Sequence, residues 1–85
     1  MNIQLRFFAS IREQIGVAQE SLALPEQIQT VGDVLVHLRQ RGGAWGEALA
    51  EGRAVRMAFN QEMTNSGTQL VDGCEVAFFP PVTGG

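Results

Sequence analysis

The sequence predicts an α+β domain, a mixed sheet with one main helix packed on one face. Three observations carry that prediction. The chain opens with apolar and polar residues in alternation from Asn2, the period-two mark of a half-buried strand. Its middle holds apolar residues at helical spacing, Val31, Val34, Leu35 and Leu38. It closes on an apolar strand, Cys74 to Phe79, that runs into Pro80-Pro81. A helix crossing between early and late strands allows the first and last strands to lie side by side.

Taken in order, Asn2 to Ser10 alternate, with Ile3, Leu5, Phe7 and Ala9 on one face and Gln4, Arg6, Phe8 and Ser10 on the other. Phe8 is the exception on an otherwise polar face. Ile11 to Ile15 form a short helical turn stopped by Gly16. Glu20 to Leu24 read as a second strand ended by Pro25. Thr30 is a good N-cap for the main helix, and Asp33 adds negative charge at its start. Arg39 and Arg41 suit its C-terminal end, and Gly42-Gly43 closes it. Ala44 to Glu51 allow a second, shorter helix with Trp45, Ala48 and Leu49 on one face. Ala54 to Phe59 form the third strand, Asn60-Gln61 a turn, and Met63 lies in a short edge segment. Thr64 to Thr68 read as loop, and Asp72-Gly73 as the turn before the last strand. The result is a β-grasp, or ubiquitin-like, arrangement with four to five strands. Residues 1–79 form the domain and residues 80–85 a flexible Gly-Gly tail.

The 85 residues allow one small domain. A net charge of −3 argues against a nucleic-acid binder, which needs a basic patch to offset phosphate charge. No apolar run approaches membrane-spanning length, and no secretory leader opens the chain. One cysteine, Cys74, permits no internal disulfide and fits a reducing cytoplasm. All six basic residues are arginines. Only the N-terminal amine could then accept an isopeptide bond from the chain's own C-terminus, which disfavours self-linked chains.

The chemistry concentrates in Phe78-Phe79-Pro80-Pro81-Val82-Thr83-Gly84-Gly85. Two prolines end the strand and stiffen the start of the tail in an extended form. From Phe78 onward no side chain is charged, so the only charge at the tip is the Gly85 carboxylate. Two terminal glycines can enter a channel too narrow for other residues. Adenylation would turn the carboxylate into an acyl donor, and a sulfur nucleophile would then give a thioester or a thiocarboxylate. A bare Gly-Gly would read as frayed coil; the rigid apolar run leading into it changes that weighting.

Strand parity adds a surface. If Ile3, Leu5 and Phe7 face the helix, Phe8 faces away. If Phe78 is a core residue, Phe79 points out. With the first and last strands adjacent, Phe8 and Phe79, extended by Met63, form an exposed patch at the root of the tail, the kind of surface that marks a partner. Elsewhere there is almost no equipment for catalysis. Cys74 lies on the inward parity as a small hydrophobe with no evident activating neighbour. His37 reads as a solvated residue on the helix face away from the core, with no second ligand at metal spacing. The acids are scattered, and the glycines lack a phosphate-binding pattern.

The ending Asp72-Gly73-Cys74-Glu75-Val76-Ala77-Phe78-Phe79-Pro80-Pro81-Val82-Thr83-Gly84-Gly85 resembles the MoaD family of sulfur carriers, the small subunits of molybdopterin synthase. Leu5-Arg6-Phe7-Phe8-Ala9, Ile11-Arg12-Glu13, the Thr30-Val31 helix start and Ala58-Phe59-Asn60-Gln61 extend the resemblance over essentially the whole chain. Cys74 departs from it, since related chains often carry Asp or another polar residue there. The resemblance implies that an E1-like enzyme adenylates Gly85 with ATP and that a persulfide donor converts it to a thiocarboxylate. The tail, from Pro80 and Pro81 through Val82 and Thr83 to Gly84, would insert into the large synthase subunit. There it would give sulfur to cyclic pyranopterin monophosphate. Phe8, Met63 and Phe79 match positions that pack on the large subunit, in a heterotetramer of two small and two large subunits. No cofactor is implied beyond the transient acyl-AMP and thiocarboxylate. Sulfur carriers for thiamine or tRNA thiolation and ubiquitin-like protein modifiers share the Gly-Gly ending and remain the alternatives.

Overall fold

In the computed structural model, described here for residues 1–81, eight elements succeed one another. They are β1 (Asn2–Phe7), α1 (Ala9–Ile15), β2 (Gln19–Ala23), α2 (Val31–Arg39), α3 (Gly43–Ala48), β3 (Arg56–Phe59), β4 (Glu62–Thr64) and β5 (Glu75–Phe79). The strands form one sheet in the order β2-β1-β5-β3-β4. The central pair β1–β5 is parallel, with Phe7 opposite Phe78, and the other pairings are antiparallel. Five strands, a parallel central pair and helices on one face make the β-grasp expected from the sequence. The last four residues, Val82, Thr83, Gly84 and Gly85, lie outside the described part.

The core sits between the sheet and its helices. Ile3, Leu5 and Phe7 from β1, with Val76 and Phe78 from β5, meet Val31, Val34 and Leu38 of α2, all essentially without solvent contact. Alternation along both central strands therefore sends one complete face into the core. Cys74 joins this cluster just before β5, as its inward parity requires. His37 is half-buried rather than solvated.

The Thr30 cap forms as a reciprocal box. The Asp33 N–H donates to Thr30 Oγ1 at 3.1 Å, and the Thr30 N–H donates to Asp33 Oδ2 at 3.1 Å. The next two amides are satisfied from the loop before β5. Val31 N–H donates to the Thr68 carbonyl and Gly32 N–H to that of Ser66, at 3.0 and 2.9 Å. This approach requires glycine at position 32, since a Cβ there would sit 2.8 Å from Ser66 Cβ.

Several boundaries differ from the sequence expectation. Ala9 and Ser10 do not extend β1; they open α1, a third helix where a single turn was expected. The cause is a sharp reversal. Phe8 is still extended, Ala9 turns to φ 53°, and Arg12 N–H returns to the Phe8 carbonyl at 3.3 Å. A period-two pattern cannot register a reversal made by one residue. β2 covers Gln19–Ala23, although Leu24 still donates its N–H to the Met1 carbonyl. Gly42 and Gly43, both at positive φ, start α3 as well as ending the previous helix, and α3 stops at Ala48. β3 begins at Arg56 and β5 at Glu75.

Arg41 fastens the helical layer to β2. Its guanidinium donates to both carboxylate oxygens of Glu20, at 2.9 and 2.6 Å, and lies 4.4 Å from the centre of the Trp45 ring. Trp45 in turn meets Phe7 edge to face at 5.4 Å.

Candidate functional site

The face of the sheet away from the helices carries the candidate site. Register places its residues in rows. Phe79 of β5 pairs with Arg56 of β3, Ala77 with Ala58, and Ala58 with Met63 of β4. Opposed residues in antiparallel strands share a face, so Ala77, Ala58 and Met63 all point outward. Phe8 enters from the end of β1, where its amide donates to the Phe78 carbonyl at 3.3 Å.

Together these residues enclose an open groove of about 460 Å³. Its floor is the Ala77–Ala58 pair, each less than a tenth exposed. Its walls are Phe8, Phe79 and Met63, and Pro80 closes the end where the chain leaves the sheet. Small residues flanked by large ones make a concavity through side-chain volume alone. Phe8 is 40% and Met63 63% exposed, a large uncovered apolar surface in a small domain. The Phe8 and Phe79 rings meet at 6.4 Å and 77°, an edge-to-face contact worth about 1 kcal/mol that holds both walls upright.

The lining includes one charged residue, Glu75. Arg6 lies 5.6 Å from the Phe8 ring centre and 3.9 Å from Glu75. The two shifted carboxyls among the described residues lie away from the groove. Glu20 is held below the usual glutamate range by its hydrogen bond from Arg41, and Asp33 is lowered by the backbone amides of Gln29 and Thr30. Neither sits with a nucleophile or in a cleft, so neither has the setting of an acid or base catalyst. Among the described residues there is no grouping of three or more metal-ligating side chains.

Of the residues singled out in the sequence, the structure brings Phe8, Met63, Phe79 and Pro80 to one groove. Pro81 comes next as a half-buried residue. Val82, Thr83, Gly84 and Gly85 fall outside the described residues. Sequence reasoning missed the floor. Ala58 and Ala77 carry no signal as single residues, and only their pairing across two strands makes them a surface.

Comparison with known proteins bears on the whole chain. Residues 5–85 match the ThiS family. A molybdopterin synthase sulfur carrier subunit from Haemophilus influenzae is 40% identical, over 98% of this chain and 99% of its own. Small archaeal modifier protein 3 from Haloferax volcanii is 35% identical over the full length of both chains. The complex of subunits 1 and 2 of molybdopterin-converting factor from Helicobacter pylori contains a chain that shares this fold, with a TM-score of 0.68 at 24% identity and full coverage of both chains. With a family match over nearly its entire length, and with a full-length relative that is a sulfur carrier subunit, this chain belongs to the ThiS family.

Proposed function

We propose that the chain is the sulfur-carrying small subunit of a molybdopterin synthase, working in the cytoplasm. The observation that carries this reading is the apolar groove of Phe8, Met63 and Phe79, which lies where the chain leaves the sheet through Pro80. A partner that covers the groove is positioned to receive the tail beyond it. The groove is the docking site for the large subunit, in an assembly of two small and two large chains. The Helicobacter pylori complex of subunits 1 and 2, in which the fold recurs, supports a second subunit as the partner. Among the described residues no helix is long and apolar enough to cross a membrane.

Pro80, Pro81, Val82 and Thr83 then guide Gly84 and Gly85 into partner active sites. In an E1-like adenylating enzyme the Gly85 carboxylate attacks the α-phosphorus of ATP, releasing pyrophosphate and leaving an acyl-adenylate. The terminal sulfur of a persulfide displaces AMP. A thiol then reduces the resulting acyl disulfide and frees the thiocarboxylate. In the large subunit that sulfur attacks cyclic pyranopterin monophosphate, and water returns Gly85 to a carboxylate. The domain holds no resident cofactor and supplies position rather than catalysis.

The test is the intact mass of the chain after incubation with the matching adenylating enzyme, ATP and a persulfide donor. Exchange of one oxygen for sulfur, mapped to Gly85, is expected. Deleting Gly85 should abolish it with the fold intact. No exchange with a verified enzyme would overturn the reading. The Haloferax volcanii relative favours a second reading, a protein modifier. Isopeptide adducts of Gly85 on other proteins, with no sulfur consumed by the pterin, would establish it instead.

A further inference from the structure

The groove has a polar end as well as an apolar one. Glu75, Ala77 and Phe79 alternate along β5 on the outward face, and all three line the groove. Phe79 and Pro80 lie where the chain leaves the sheet. Glu75 is four residues back along the strand, about 13 Å away at the rise of a β-strand. Phe59 pairs with Val76, which brings the Asn60-Gln61 turn beside Glu75, and Gln61 joins it in the lining.

The backbone of Glu75 is clamped. Its N–H donates to Asn60 Oδ1 at 2.9 Å, and its carbonyl accepts from the Asn60 N–H at 2.8 Å. Asn60 and Gln61 turn at φ 47° and 70°, and Ala9, which also lines the groove, at 53°. These are the non-glycine residues at positive φ among the described residues. Such strain persists only where the surrounding structure holds it, and here it fixes the groove's edge.

The carboxylate is less well provided for. Arg6 approaches Oε1 at 3.9 Å, longer than a hydrogen bond, and the same guanidinium lies 5.6 Å from the Phe8 ring centre. The Glu75 side chain keeps 25% of its surface in solvent. A partner that covers the apolar groove takes that water away. A carboxylate stripped of water is strongly destabilising unless a cation meets it. The net charge of −3 favours a basic surface on the partner.

We propose that Glu75 is the charged anchor of the groove, pairing with a lysine or arginine side chain of the large subunit. Apolar side chains of the same subunit fill the space between Phe8, Met63 and Phe79. This rests on the sulfur-carrier reading. An ion pair at one end and apolar contact at the other allow a single docking direction, so Glu75 orients the partner toward the tail root at Pro80.

The test is the affinity of the full chain for the large subunit at low and high salt, with the mass gain at Gly85 measured in parallel. Glu75→Gln keeps the side chain's shape and should keep the wild-type melting temperature. It should bind about tenfold more weakly at low salt, with the gap closing at high salt as the charges are screened. Glu75→Asp, which retains the charge, should bind more tightly than Glu75→Gln. Glu26→Gln, in the separate pocket beside Met1, makes the same change in net charge and should bind like wild type. Glu75→Gln within about twofold of wild type at low salt would overturn the anchor and leave the carrier reading standing. An equal loss at both salts would assign the effect to shape, and an equal loss in Glu26→Gln to net charge; either would overturn the anchor. A wild-type chain that gains no sulfur at Gly85 would overturn both readings.

Discussion

Phe7 and Phe8 are consecutive, yet each finds an aromatic partner on a different face of the sheet. Phe7 stacks with Phe78 in the core, ring centres 6.3 Å apart, and Phe8 meets Phe79 outside at 6.4 Å. Two adjacent pairs at the ends of two parallel strands thus serve opposite faces, one closing the core and the other raising the walls of the groove. The separation has experimental consequences, because a substitution in one pair should report on function and in the other on folding.

Phe79→Arg should unfold nothing, since the residue is only partly buried. It should weaken binding to the large subunit by roughly 2 kcal/mol or more, about thirtyfold, by placing a charge in an apolar contact. Titration calorimetry against that subunit measures it. Full affinity would remove the groove from the interface.

Ala77→Leu tests the floor. The added side chain has open space above it and should fill the groove rather than strain the core. A stable fold with binding reduced about tenfold or more is expected if a partner side chain occupies that space. Unchanged affinity would mean that the partner rests on the walls alone.

Cys74→Ala should retain sulfur acceptance at Gly85. Cys74 is 4% exposed within the core cluster, where it acts as a small apolar filler. A stability loss of about 1 kcal/mol is the expected effect, read from thermal melting. Loss of sulfur loading with an intact fold would make Cys74 a participant in transfer.

The Glu20–Arg41 pair makes a pH-dependent prediction. The hydrogen bond from Arg41 lowers the folded-state pKa of Glu20 below its ordinary value of 4.5. A lowered acid contributes stability above its unfolded value and loses it as pH falls through the folded value. Wild type should therefore exceed Glu20→Gln in stability near neutrality, by about 0.5 kcal/mol after allowance for solvent screening. The difference should vanish on acidification below the ordinary glutamate range. Denaturant titrations at neutral and acidic pH check this, and Asp33, present in both proteins, cancels.

Much of this molecule is determined by local pattern. Alternation in β1 and β5 assigns Ile3, Leu5, Phe7, Val76 and Phe78 to the core and Phe8 and Phe79 to the outside, because a strand has only two faces. Helical spacing and the Thr30–Asp33 box mark α2, since both the stripe and the cap are made within a few residues. The Gly84-Gly85 ending is likewise a property of sequence alone. Tertiary structure decided what depends on distant chain segments meeting. The Ala58–Ala77 floor exists only because β3 pairs with β5 in one register. Gly32 is required only because the loop at Ser66 folds back onto α2. Arg56 becomes a neighbour of Phe79 through strand pairing, and α1 begins at Ala9 through a reversal at the end of β1. Local pattern selects a face for each residue; only strand register and loop return select its neighbours there.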